Sequence, residues 1–220
     1  MTGRDPPGWV LIAADSVLPQ PWRNGGGQTR ELLAWPTALD WKLRISRADI
    51  HANGPFSAFP GIERWFTVLQ GAGVALAFDQ GDLPATVRLG PADGPLRFDG
   101  ASAPACRLLD GPTQDLNLMA RAGVGLMRVA QDGRDWDENF AMRGVYAGTA
   151  GVWRAGTQSC VLPANTLLWV AQAGPGAWRF DPDPVPARPD HNAAAQRPTE
   201  QAPRSGIGAW WLGYTPETRP

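Results

Sequence analysis

The chain has 220 residues with 21 acidic and 20 basic side chains, enough for one large domain or two small fused ones. A formal net charge of −1 leaves no electrostatic footprint for nucleic acid or for an anionic membrane surface. The basic residues are Arg except for Lys42, a bias that a GC-rich genome explains. Cys106 and Cys160 lie outside any Cys-x-x-Cys or Cys/His spacing; they read as two reduced core thiols, with a disulfide between them as the alternative. The start Met-Thr-Gly-Arg-Asp-Pro-Pro-Gly lacks the apolar stretch of a signal peptide, and no apolar run is long enough to span a bilayer. The expected location is the cytoplasm.

Gly and Pro are spread between short β-rich runs, which reads as strands joined by tight turns. Taken in chain order, the spacing predicts strands over 9–13, 28–35, 41–50, 62–70 and 74–79. It predicts others over 85–89, 106–110, 114–119, 127–130, 144–148, 158–162, 166–171, 177–181 and 209–214. Helical periodicity is nearly absent, so the fold class is all-β, a sandwich or barrel. The run from Trp41 alternates: Trp41, Leu43 and Ile45 face one way, Lys42, Arg44 and Ser46 the other. The acidic connector 132–140 divides the chain into an N-terminal half, 1–131, and a smaller C-terminal half, 132–220. Residues 181–206 are rich in Pro, Ala, Gln and charge and read as a surface insertion, in which His191 is solvated.

The segment Gly54–Gly71 resembles a cupin metal motif stripped of its ligands. Counting back from Gly71 places Arg64 at the position of the ligating Glu, with Ser57 and Phe59 near the His pair. A guanidinium does not bind a divalent cation but holds a carboxylate through parallel hydrogen bonds. His51 has no partner at metal-ligand spacing and no Ser or Cys motif beside it, so neither a metal, a cofactor nor a nucleophile–base pair is expected.

Pro21-Trp-Arg-Asn-Gly-Gly-Gly-Gln-Thr-Arg-Glu31 resembles the opening signature of the HutD/Ves family. Arg44–Ile50, Gly54–Arg64, Asp115–Met119 and the ending Ala209-Trp-Trp-Leu-Gly-Tyr-Thr-Pro match in the family's order. Leu43 stands where that family has Trp and Leu116 where it has Phe; both keep an apolar side chain. The insertion before the last strand is also foreign to the family. The resemblance implies an RmlC-like jelly-roll cupin repeated in one chain, a bicupin, without a catalytic metal. It also implies an association with histidine-utilisation or stress genes and a small-molecule regulatory role.

The candidate site follows from strand alternation and this resemblance together. Asn24-Gly-Gly-Gly27 is open to positive φ at successive positions and reads as a strand-leading turn; the resemblance raises Asn24 as a pocket residue. Adjacent Arg30 and Glu31 must face opposite ways, with Glu31 taken as interior. Arg44, Ser46 and Arg64 are expected to converge inside a barrel mouth, paired with Glu31, Asp115 or a bound acid. Phe56, Phe59 and Pro60 read as an apolar wall or lid beside Arg64, against ordinary core packing. Glu63 faces away. Asp115 and Asn117 share one face of their strand, and the resemblance places it toward the pocket rather than toward water. Most of the 11 Trp read as core.

The functional expectation is a non-enzymatic protein that binds a small carboxylate, which the resemblance, not the residue chemistry, narrows to histidine-degradation intermediates such as formylglutamate or urocanate. The site residues are Asn24, Glu31, Arg44, Ser46, Phe56, Arg64, Asp115 and Asn117. The alternative is a metal-independent enzyme using Glu31 or Asp115 as general base. A carboxylate beside two guanidiniums is expected to have a lowered pKa, which counts against that alternative. Partners beyond the ligand are not specified; a homodimer is compatible with the chain.

Overall fold

Short β-rich runs, none of them long enough to bury a face alone, are gathered into four sheets. The computed structural model describes residues 8–79, 82–183 and 207–217. In chain order the first strands are β1 (Val10–Ala13), β2 (Gln20–Pro21), β3 (Gly27–Trp35), β4 (Leu43–Ile50), β5 (Gly54–Pro55) and β6 (Ile62–Gln70). Then come β7 (Val74–Ala77), β8 (Thr86–Leu89), β9 (Leu96–Asp99), β10 (Ala105–Leu108), β11 (Thr113–Arg121) and β12 (Gly125–Val129). The last are β13 (Met142–Ala147), β14 (Gly151–Ala155), β15 (Gln158–Leu162), β16 (Thr166–Val170), β17 (Trp178–Pro182) and β18 (Ala209–Tyr214). Two short 3-10 turns, Ala14–Ser16 and Gly100–Ser102, are the helical content of the described residues.

The N-terminal half pairs a six-stranded sheet, β2-β3-β4-β11-β6-β9, with a four-stranded one, β5-β10-β7-β8. The C-terminal half pairs a five-stranded sheet, β1-β16-β13-β18-β12, with a three-stranded one, β15-β14-β17. This is the expected all-β bicupin, with each half built as two sheets rather than as one continuously hydrogen-bonded barrel. Two strands that precede residue 131 belong to the C-terminal sheet: β1 pairs with β16, and β12 with β18. The chain crosses between sheets at the turn before β12, where Gly123 has φ +80°. The sheets and a cut at 131/132 therefore divide the chain differently. The connector itself is pinned by Trp136, which is buried, bridges Trp178 and stacks on Trp211 at 5.2 Å.

Strands β2, β5, β9 and β14 escape the periodicity reading. The first two have only two residues each. At the start of β14, Gly151 reads as a turn signal, yet a Cβ there would sit 2.5 Å from the Asp181 carbonyl oxygen and 2.5 Å from the Phe180 ring. That glycine marks close approach of two strands, not a turn. Of the segment 181–206 only the end of β17 and Asp183 are described; the remainder, with His191, lies outside the described residues.

Three apolar clusters follow from this layering. One joins the two large sheets face to face, with Leu43, Ile45, Leu116 and Leu118 on one side and Tyr146, Leu167, Trp210 and Leu212 on the other. A second fills the N-terminal half between its own sheets, around Phe66, Val68, Leu76 and Phe98. The third fills the C-terminal half and is dominated by Trp136, Trp153, Trp178 and Trp211. At its centre Arg143, 0% exposed, lies between the Trp136 and Trp178 rings at 4.5 and 4.3 Å. Its Nη1 and Nη2 donate to the Gly176 and Trp136 carbonyl oxygens at 2.8 and 2.9 Å. Burial pushes this guanidinium down to about 10. Replacing Arg143 by Ala strands both carbonyls and removes the cation from between two indoles. We expect a loss of about 3 kcal/mol, read as a lower urea midpoint with an unchanged m-value.

Candidate functional site

Every interior polar group of the N-terminal half is placed by strand register. On β4, Leu43 and Ile45 enter the core between the two halves, so Arg44, Ser46 and Ala48 must face the other way. On β11, Leu116 and Leu118 take the inter-half side, which turns Asp115, Asn117 and Met119 inward. Opposite them on β6 stand Val68, Phe66 and Arg64. Both faces of this sheet are covered. The choice between dry core and solvent, assumed for an ordinary sandwich, does not arise: one face is inter-half core and the other lines a cavity.

That cavity has a volume of about 490 Å³ and opens between β4, β11, β6 and the loops that carry Trp22–Asn24 and Pro55–Phe59. Among the expected residues, Asn24, Arg44, Ser46, Phe56, Arg64 and Asn117 line it. So do Ser57 and Phe59, the two positions that correspond to the missing His pair. Arg64 is the deepest charge. It is 8% exposed, and both its Nε and Nη2 donate to Asn117 Oδ1, at 2.9 and 2.6 Å. Its guanidinium carbon lies 4.2 Å from the Phe56 ring centre, with Phe98 at 5.6 Å and Phe66 at 5.8 Å. Burial pushes it down to about 10, and Asp115 partly opposes that shift. Among the described residues no carboxylate forms an ion pair with it; its side-chain partner is a neutral amide.

The second guanidinium is differently committed. Arg44 Nε lies 2.9 Å from Glu31 Oε2, on neighbouring strands and half-buried. The Glu31 side chain does take the interior side, as the alternation and the resemblance together led us to expect, but it is absorbed by Arg44 rather than lining the cavity. Arg30, on the reverse face, donates to the Val17 carbonyl and approaches Asp49 at 3.9 Å. Glu63 faces away from the cavity and pairs with Arg97 at 2.6 Å.

Four expectations are corrected. Asp115 does not line the cavity: it is fully buried behind it, accepting from Thr113 Oγ1 at 2.9 Å through Oδ2. Its pKa is raised, not lowered; desolvation pushes it up to about 8 and outweighs both Thr113 and Arg64. In the Asn24 loop only Gly25 takes a positive φ, +70°. Asn24 is exposed and spends its Oδ1 on the Gly26 N–H at 3.0 Å, so its carbonyl shapes the turn. Of the expected wall or lid, Phe56 is a buried wall against Arg64 and Phe59 also lines the cavity, whereas exposed Pro60 is absent from the lining. Gly27 is demanded by packing: a Cβ would fall 2.5 Å from the Asp49 carbonyl oxygen and 3.2 Å from the Trp22 ring.

Trp22, Thr29 and Met119 also line the cavity and escaped the sequence reading. Thr29 and Met119 were within reach of simple alternation from Glu31 and Asn117. Trp22 was not, because it sits in a loop; its Nε1 donates to Thr29 Oγ1 at 2.7 Å, which fixes the ring against the strand.

The raised Asp115 value has a consequence for stability. The folded chain keeps a proton at pH values where the unfolded chain, with an ordinary value of 3.8, has lost it. The contribution of this group is therefore fully present below 3.8 and is lost as pH rises through about 8. Replacing Asp115 by Asn removes that slope, so the stability gap between variant and wild type should shift in favour of the variant with rising pH. Urea unfolding at a series of pH values reads this directly.

A family model described as HutD matches residues 14–180. Protein Ves of Citrobacter koseri is 33% identical over 199 residues, covering 90% of this chain and 92% of that protein. An uncharacterized 21.2 kDa protein in the hutC 3' region of Pseudomonas putida is 41% identical over 113 residues, 50% of this chain and 56% of that one. Among solved structures, a conserved protein of unknown function from Pseudomonas aeruginosa PAO1 has a TM-score of 0.73 at 22% identity, covering 96% of this chain and 100% of that one. HutD from Pseudomonas fluorescens SBW25, solved in a formate condition, has a TM-score of 0.70 at 26% identity, covering 94% and 98%. With a family model spanning most of the chain and a relative matched almost end to end, the chain belongs to the HutD/Ves family.

Proposed function

We propose that this chain is a non-enzymatic binding protein whose N-terminal cavity takes a small carboxylate, with a regulatory role in histidine utilisation or stress response. The observation that carries the reading is Arg64: a buried guanidinium at a cavity of about 490 Å³, hydrogen-bonded to the neutral Asn117 amide and in no ion pair with a carboxylate among the described residues. A buried charge of this kind calls for a counter-charge, and an acid entering the cavity supplies one. Ser46 and the loop around Asn24 offer neutral hydrogen bonds beside it, and Phe56, Phe59 and Met119 give apolar contact. The family's association with histidine utilisation makes formylglutamate and urocanate the first acids to try. The proposed location is the cytoplasm; no helix of the described residues is long and apolar enough to cross a membrane.

A metal-independent enzyme is the second reading. The observation in its favour is Asp115, pushed up to about 8 and so poised as a base near neutrality. Against it, Asp115 sits behind the cavity wall and Glu31 is paired with Arg44.

A thermal-shift and calorimetry screen with urocanate, formylglutamate, glutamate and histidine tests the first reading. An acid present at 100 times its Kd should stabilise the wild type by about 2.7 kcal/mol. Arg64→Ala, folded by circular dichroism, should lose that response. A response of unchanged size in the variant would remove Arg64 from the site, and time-dependent consumption of the acid would favour the enzyme.

A further inference from the structure

Asp115 sits one inward-facing step beyond Asn117 on β11, between Ala48 of β4 and Val68 of β6. It is 0% exposed, and its Oδ1 has no hydrogen-bond partner, while Oδ2 is met by the Thr113 hydroxyl. A carboxylate so placed leaves a charged oxygen unsatisfied in an apolar wall; a carboxylic acid does not. The charged and titratable groups around it are few. Arg64 of β6 acts on it as a cation, and Asp49 of β4, on the reverse face and bound by Gln28, acts as an anion. Cys106 of β10, in the opposite sheet, is buried and pushed up to about 12, so it stays a neutral thiol. Arg44 of β4 acts on Arg64 but is committed to Glu31. Arg64, the buried cation of the cavity, thus answers to two anions: Asp115 on the neighbouring strand and whatever acid enters the cavity.

We propose that Asp115 is a proton switch on the acid site: the cavity holds a carboxylate while the Asp115 carboxyl keeps its proton, and releases it when that proton is lost to solvent. This rests on the acid-binding reading above. The ionised side chain cancels the field of Arg64 at the cavity and repels the bound anion. Asn117 does not titrate and grips Arg64 in either state, so the switch acts through charge and leaves the guanidinium where it is. Burial of Asp115 sets the change at mildly alkaline pH, about 8.

Calorimetric titration with formylglutamate and with formate, neither of which has a group titrating in the range used, tests this from about pH 7 to about pH 9. Wild-type affinity should fall about tenfold across that range, with net proton uptake on binding at the upper end. Asp115→Asn, a neutral mimic of the protonated acid, should bind with nearly constant affinity. Thr113→Val, which removes the hydrogen bond that lowers the Asp115 value, should shift the fall to higher pH and serves if the first variant does not fold. Wild-type binding that is equally tight throughout, or a fall that persists unchanged in the variants, overturns the switch and leaves the acid site standing. Absence of saturable binding by either acid at every pH sinks the acid site and the switch together.

Discussion

The arrangement depends on the register of β4 against β11 and of β11 against β6. These strands are covered on both faces, so each alternate residue has a fixed and different task. Leu43, Ile45, Leu116 and Leu118 join the two halves of the molecule, while Arg44, Ser46, Arg64 and Asn117 hang into the cavity. A slip of one residue would send Arg44 and Arg64 into the inter-half core, where Arg47 is already held by Asp15, and leucines into the pocket. The apolar face therefore does more than hold the halves together. Its burial forces the polar face inward, and the site exists because the interface does.

Within the cavity the decisive feature is an imbalance. Arg44 has a carboxylate, Glu31, at 2.9 Å; among the described residues Arg64 has an amide oxygen and three aromatic rings but no ion pair. Desolvation governs Asp115 as well, which is held above its ordinary value in spite of the Arg64 charge. Burial and charge attraction compete at this point, and burial wins because Asp115 receives a single side-chain hydrogen bond. The result is a buried guanidinium held by a neutral amide and aromatic rings, in a cavity that Arg23 and Arg44 also line.

The two halves have the same two-sheet construction but different interiors. In the C-terminal half, Arg143 lies sandwiched between Trp136 and Trp178, and both of its bonded amino groups are taken by backbone carbonyls. A guanidinium there completes a core; in the N-terminal half it faces open space. Trp136 comes from the connector, so an acidic loop that reads as a mere joint supplies part of the packing of the half that follows it.

Much of this was legible in the chain itself. Alternation along β4 and β11 separates Arg44, Ser46, Asp115 and Asn117 from their leucine and isoleucine neighbours, because side chains on a strand must alternate. Three strands, β6, β15 and β18, have the limits that their residue pattern predicts. Which face was wet or dry could not be read locally, since that depends on a second sheet packing from the far end of the chain. Nor could the sequence show that Gly27 and Gly151 are places of close strand approach, or that β1 and β12 join the C-terminal sheet. The Asp115 value reversed for the same reason: a local reading counts charges along the chain, whereas the protonation state follows from how completely folding removes water, and only the tertiary structure decides that.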